Sequence, residues 1–146
     1  MEPEAALDKP AGDPAWRFRG FHTLPSTIEA QAAFLDVAGS LSGLSRHPGA
    51  ADLHRVARWN GRGERPVIGF HDFGMKGFGG AVRLAGEETP RASLVGTAEF
   101  LKGSGLNLPE ALEASTREWA AEGSPVLFAG WDGQVRAALR FSGSLP

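Results

Sequence analysis

The sequence contains no cysteine, no long hydrophobic run and no strong excess of charge of either sign. Without cysteine, the 146-residue chain forms neither a disulfide framework nor a thiolate metal site. No apolar run approaches the roughly 18 residues of a membrane span, and no charged and apolar leader opens the chain. A formal net charge of −2 and the lack of a basic cluster argue against nucleic-acid binding. We therefore expect a cytoplasmic, monomeric, soluble domain without a structural metal.

The composition fits one compact domain, with 42% hydrophobic and 22% charged residues. Residues 1–25 are rich in proline, glycine and charge, so we expect a lead-in segment with a first strand near Trp16–Phe21. Residues 26–146 form the domain proper. Helices and adjacent strands alternate here without a regular βαβ pattern. The pattern predicts an α/β (α+β) sandwich, in which helices flank a twisted, mainly antiparallel sheet of about six strands.

Two helices are predicted in the first half of this domain. Ser26–Glu29 has the pattern of a capping box and opens a helix that ends near Gly43. Its inward positions recur at helical spacing: Ile28, Ala32, Leu35, Ala38 and Leu41. A second helical stretch follows His47-Pro48 and ends at Asn60-Gly61, with apolar positions at Ala51, Leu53, Val56 and Ala57.

The second half is predicted to contain strands, two further helices and a closing hairpin. Strands are expected over Pro66–Phe70, Ala81–Leu84 and Ala92–Val95, with a glycine-dense loop at 74–80 between the first two. A short helix follows from Ala98. A longer one opens at Asn107 or Leu108 and ends before Gly123, with Leu112, Thr116 and Trp119 facing inward. Asp132-Gly133 is the preferred pair for a two-residue hairpin turn between Val126–Trp131 and Val135–Phe141.

Three short segments are candidates for a binding site. Ser45-Arg46-His47-Pro48 presents a histidine at a helix start, although a His-Pro pair alone is more often a capping loop. Gly74–Gly80 could expose backbone N–H groups to a phosphate, or could equally be a hairpin connection. It is neither a P-loop nor a Rossmann fingerprint. Leu94–Thr97 runs from a strand into a helix-capping threonine.

A hydrolase is the least favoured class. The sequence has no Gly-x-Ser-x-Gly motif to present a serine nucleophile, and His71-Asp72 is interpreted as a polar pair before a loop.

In order and spacing, the three segments resemble the nucleotide-binding domain (N-domain) of heavy-metal-transporting, P1B-type P-type ATPases such as copper transporters. The family's Ser-x-His-Pro, Gly-x-Gly and Val-Gly-Asn motifs correspond to Ser45–Pro48, Gly77–Gly79 and Val95–Thr97. Gly105–Pro109 is similar to the segment before the family's last helix, and the segment 123–141 to its closing hairpin. The resemblance covers nearly the whole chain.

The resemblance implies a domain that binds ATP or ADP, with Mg²⁺ as an accompanying ion, beside the phosphorylation and actuator domains of a membrane ATPase. His47 would stack on adenine, Gly77 and Gly79 would let the phosphates approach, and Gly96 would shape the wall. Ser42 stands where the family has a glutamate that contacts the base, and Thr97 replaces the asparagine of Val-Gly-Asn. All six residues are thus expected at the nucleotide site.

The family's phosphorylation motif is degenerate here. Asp8-Lys9-Pro10 stands where the family has Asp-Lys-Thr, and proline removes both a hydroxyl and a backbone N–H. A transferred phosphoryl group would lack an acceptor and metal ligands, so we expect no catalytic residue and binding without hydrolysis. The alternative is a related domain that has lost nucleotide binding and serves as an interaction or regulatory module.

Overall fold

The computed structural model describes residues 16–143, so Asp8-Lys9-Pro10 lies outside the described residues. In chain order the elements are β1 (Trp16–Thr23), α1 (Ile28–Ser42), α2 (Ala50–Trp59), β2 (Val67–Asp72), a 3-10 turn (Gly74–Lys76), β3 (Gly77–Val82), β4 (Arg91–Gly96), α3 (Ala98–Gly103), α4 (Glu110–Ala121), β5 (Val126–Trp131) and β6 (Gln134–Gly143). The described strands form one sheet in the order β1-β6-β5-β4-β3-β2, and each neighbouring pair is antiparallel. The predicted α+β sandwich is confirmed.

The sheet carries a separate hydrophobic core on each face. Along β5, Leu127 and Ala129 belong to the core under α1 and α2, whereas Phe128 belongs to the core under α3 and α4. This alternation follows from the two-residue period of a strand. The first core draws on all strands except β2, whose Val67 and Phe70 pack against its edge. The second core draws mainly on β5 and β6, so half of that face is left to form a cleft.

The predicted first helix is confirmed, but its start differs in detail. Thr27 is the N-cap, and its Oγ1 accepts a hydrogen bond of 3.1 Å from the N–H of Ala30. The predicted capping box is therefore wrong by one residue, because Glu29 falls at the second helical position and not the third. Ile28 was expected to face inward and is 82% exposed, since burial along α1 starts only at Phe34.

The predicted second helix, short third helix and closing hairpin are confirmed at Ala50–Trp59, Ala98–Gly103 and Val126–Gly143. Asp132 and Gly133 both have positive φ, 55° and 77°, as the hairpin turn requires. The last helix begins at Glu110, later than predicted, because Asn107 pairs with Gln134 as an isolated bridge. Its predicted inward residues are all buried.

The largest difference concerns the glycine-dense segment 74–80, which was predicted as a loop. Only Gly74–Lys76 forms a turn, and strand β3 begins at Gly77, four residues before the predicted Ala81. Glycine is a poor strand former, but β3 is fixed by antiparallel pairing with both β2 and β4. Residues 77–80 of the predicted loop therefore lie inside the sheet.

Candidate functional site

The Ser45–Pro48 loop is tied to the end of β2 by one carboxylate. Ser45 Oγ donates to Asp72 Oδ1 at 2.7 Å, and the N–H of Arg46 donates to Asp72 Oδ2 at 3.0 Å. The same Ser45 Oγ accepts from the N–H of His47 at 3.0 Å. Asp72 therefore holds the loop in place immediately before His47. The position of Asp72 beside His71 in the sequence did not indicate this role.

His47 is a buried, neutral imidazole with both ring nitrogens engaged. Its Nδ1 accepts from the N–H of Gly49 at 3.1 Å, so the proton belongs on Nε2, which lies 3.4 Å from the carbonyl oxygen of Met75. Burial lowers the pKa of His47 below its ordinary value, against smaller opposing effects of the Met75 hydrogen bond and the Asp72 charge. The ring therefore links the loop before α2 to the turn before β3.

The His47 ring packs against two other aromatic rings. The indole of Trp16 makes an edge-on contact with a centroid separation of 5.1 Å, and the ring of Phe78 lies tilted at 5.8 Å. His47 is only 5% exposed. A nucleotide base could stack on this ring only after neighbouring side chains had moved.

Gly77, Gly96 and Thr97 lie together where β3 starts and β4 ends. Gly77 and Gly96 are register partners. A Cβ atom added to Gly77 would collide with the carbonyl oxygen of Val95, and one added to Gly96 would collide with that of Lys76. The N–H of Thr97 donates to the Lys76 carbonyl at 2.9 Å. Glycine is therefore required at both positions, because the backbones of β3 and β4 approach each other too closely for a side chain.

Together, His47, Met75, Lys76, Gly77, Gly96 and Thr97 form what we call the loop junction. Thr97 also caps α3, because its Oγ1 accepts from the N–H of Phe100 at 3.1 Å. Four of the six predicted site residues thus meet around the Met75 and Lys76 carbonyl groups.

The remaining two predicted residues lie apart from the loop junction. Gly79 lines the cleft on the half of the sheet face that α3 and α4 leave open. Ser42, the last residue of α1, is 2% exposed, and its Oγ has no hydrogen-bond partner in the described part of the chain. Its hydroxyl is enclosed in the protein and does not line the cleft.

The cleft has a volume of about 590 Å³ and a largely apolar wall. Its walls come from β2, β3 and β4, from the segment after α3 and from the β5–β6 turn. Leu94 and Leu106 pack against the second core and line this cleft, which places it on the face opposite α1 and α2. Asp132 at its rim is paired with Arg91.

Two aromatic residues of the cleft wall, His71 and Phe73, were not predicted as site residues. Their ring centroids are 6.0 Å apart, with planes inclined by 22°. Phe73 also contacts Phe100 of α3 at 5.0 Å, which joins the cleft wall to the loop junction. One sequence feature could have identified them: the two rings are two residues apart, and residues at i and i+2 lie on the same face of a strand.

Within residues 16–143, no three His, Asp or Glu side chains are grouped so that they could hold a metal ion. The helices of this described part are all too short or too polar to cross a membrane.

Comparisons with known proteins identify the architecture. No protein-family model matches the chain, and a search of curated proteins finds no significant match. The search of solved structures finds the N-domain of HMA6, a copper-transporting P-type ATPase, with 18% identity, a TM-score of 0.66 and coverage of 88% of this chain and 99% of that one. The N-domain of HMA8, another copper-transporting P-type ATPase, matches with 17% identity, a TM-score of 0.65 and coverage of 86% and 99%.

The chain has the fold of a P1B-type ATPase N-domain. A zinc-transporting PIB-type ATPase in the E2.Pi state also matches, with 16% identity, a TM-score of 0.66 and coverage of 90% of this chain. The chain spans 19% of that whole transporter, and almost all of the isolated N-domain structures. The N-domain fold predicted from the ordered motifs is confirmed.

Proposed function

We propose that this N-domain fold binds ATP or ADP in the cleft over β3 and β4 and does not hydrolyse ATP by itself. The observation that carries the proposal is the open half of the sheet face in a fold shared with N-domains of metal-transporting ATPases. A largely apolar cleft of about 590 Å³ is within the usual range for small-molecule sites.

In this proposal the loop junction shapes one end of the site. His47 acts as a positioning residue that holds the Met75 carbonyl, because its ring is enclosed by Trp16 and Phe78. Gly77, Gly96 and Thr97 allow β3 and β4 to converge beside the cleft. Gly79 contributes to the cleft floor, and Ser42 would reach a base only if the end of α1 opened.

The proposed parent is a heavy-metal-translocating ATPase, with copper as one candidate cargo. The domain would lie on the cytoplasmic side and work with phosphorylation and actuator domains. Any Mg²⁺ would arrive on the phosphates of the nucleotide. Hydrolysis would require an acceptor and metal ligands outside this domain, since phosphoryl transfer depends on both.

The test is an ATP titration followed by amide resonances of the isotopically labelled protein. Saturable shifts at Gly79, His71 and Phe73, with smaller shifts at Gly77 and Gly96, are the expected result. If ATP at millimolar concentration shifted none of these amides, the proposal would be wrong. The second candidate function, an interaction or regulatory module without nucleotide binding, would then be favoured, in keeping with the enclosed Ser42 and His47 side chains.

A further inference from the structure

Strand β2 contains a bulge that decides which side chains face the cleft. Ile68 pairs with Ala81 and His71 pairs with Gly79, so Gly69 and Phe70 together lie opposite a single residue of β3. Gly69 has a φ of 67°, a conformation that glycine adopts at little cost. An extra residue in one strand shifts the alternation of its side chains.

Because of the bulge, His71 and not Phe70 shares the cleft face with Ile68. Phe70 packs against the first core, with its ring centroid 6.4 Å from that of Phe78. His71 and Phe73 line the cleft instead. Asp72, between them, returns to the first face and holds Ser45 and Arg46.

The Phe73 ring is both exposed and held in place. It is 44% exposed at the cleft, whereas large apolar side chains are usually buried. The N–H of Phe73 donates to the Gly77 carbonyl at 2.8 Å, which closes the turn before β3. The ring also contacts the rings of His71 and Phe100, at centroid separations of 6.0 Å and 5.0 Å. Its orientation is therefore organised before any ligand arrives.

We propose that the nucleobase stacks on the ring of Phe73, beside His71, and that Phe73 rather than His47 is the aromatic residue that contacts it. The proposal rests on the nucleotide-binding function proposed above. Phe73 offers an exposed ring on the cleft wall, whereas His47 is 5% exposed between two other rings. Gly79 and Leu94 form the floor beside the stacked base.

Stacking on one ring makes specific predictions about ligands. Every base has a π-face, so affinity should follow stacking area, with adenosine bound more tightly than cytidine. Removal of an aromatic stacking partner weakens binding by about tenfold or more. Binding of adenosine should be weakened as much as binding of ATP, because the lost contact is to the base.

The experiment compares ATP and adenosine binding by calorimetry to the wild-type chain and to Phe73→Ala, Phe73→Leu and Phe73→Trp. Phe73→Ala and Phe73→Leu should each weaken both ligands by about tenfold. Phe73→Trp should bind at least as tightly as wild type, and its added indole emission should be quenched by adenosine. Trp59→Ala is the control, since Trp59 is 82% exposed on α2, outside the cleft wall.

The outcomes separate this proposal from the proposed function. If wild type binds ATP and Phe73→Leu binds it equally well, the stacking proposal is wrong and the nucleotide-binding function stands. If wild type binds neither ATP nor adenosine, both are wrong. Phe73→Leu keeps most of the apolar bulk against Phe100, so it decides the question even if Phe73→Ala fails to fold.

Discussion

Gly79 of β3 lies between His71 of β2 and Leu94 of β4, and it is the register partner of both. All three residues line the cleft. A position without a side chain between two larger residues creates a recess in the floor, into which the Leu94 side chain leans. Gly79 therefore matters to the cleft because it leaves room for the Leu94 side chain, and a substitution at Gly79 tests this.

Gly79→Ala should lower both stability and nucleotide affinity. The added Cβ would lie 2.8 Å from the Ser93 carbonyl oxygen and would collide with the Leu94 side chain, so strand backbone and cleft floor must both shift. Overpacking of this kind costs about 1–3 kcal/mol. Urea unfolding and ATP titration measure the two effects.

Gly20→Ala, on β1, is the matched control for Gly79→Ala. A Cβ at Gly20 has no atom within 4 Å, so stability and affinity should stay close to wild type. Equal unfolding free energies for Gly79→Ala and Gly20→Ala would contradict the packing described for the cleft floor.

Ser42→Ala should leave the fold as stable as wild type or stabilise it by about 1 kcal/mol. The buried Ser42 hydroxyl has no hydrogen-bond partner in the described part of the chain, and such a group carries an uncompensated desolvation cost. If Ser42 instead contacts the base after a conformational change, Ser42→Ala would weaken ATP binding. Urea unfolding with and without ATP distinguishes these two roles.

Ser40→Ala provides the contrast on the same helix. Ser40 Oγ accepts from the N–H of Arg65 at 2.8 Å, so its removal leaves a partly buried donor without its partner. A loss of about 1–2 kcal/mol is expected. A larger loss for Ser42→Ala than for Ser40→Ala would show that Ser42 has a structural partner.

Local signals were sufficient where the structure depends on neighbours in sequence. The helices followed from periodicity and the hairpin from Asp132-Gly133, whose positive φ angles are a local requirement. The start of β3 could not be predicted, because glycine has low strand propensity and Gly77 is ordered by its pairing with Gly96. The burial of His47 depends on Trp16, a distant residue in sequence.

The convergence of the predicted segments followed from the sequence, but their contacts did not. The motifs located the segments that converge at the loop junction, but they did not reveal that Asp72 anchors Ser45. They also gave no indication that a bulge turns His71 and Phe73 to the cleft, because the bulge is defined by pairing with β3. The nucleotide-binding roles of all six residues remain predictions: Ser42, His47, Gly77, Gly79, Gly96 and Thr97.

Stability should fall in mild acid because of His47. The pKa of the folded imidazole is lowered by burial, while the unfolded chain has the ordinary value of about 6.5, so the unfolded state binds more protons below that pH. The contribution of His47 is complete above about pH 6.5 and is lost as the pH falls through the folded pKa. Urea unfolding at about pH 7.5 and about pH 5.5 measures this difference.

His47→Asn should reduce that pH dependence, because an amide does not titrate and its oxygen can accept from the N–H of Gly49 in place of Nδ1. The variant should be less stable than wild type at about pH 7.5, since the Met75 contact is lost. His71→Asn, at the exposed cleft wall, serves as the control for a histidine-to-asparagine exchange. An unchanged pH dependence in His47→Asn would assign the effect to other groups.

Gly69→Ala tests whether the β2 bulge organises the cleft. The position has open space around it, so the cost arises from a φ of 67°, which alanine adopts at about 1–2 kcal/mol. A strand that relaxed this strain by losing the bulge would turn His71 away from the cleft and weaken ATP binding beyond the change in stability. Gly103→Ala is the control. Gly103 also has open space around it, but it lies at the end of α3 without a positive φ, so this substitution should be neutral or slightly stabilising.

The amide shifts of His71 and Phe73 in Gly69→Ala, compared with those in Gly103→Ala, report the loss of the bulge. Unchanged shifts and unchanged affinity in Gly69→Ala would mean that pairing with β3 alone holds these two rings at the cleft.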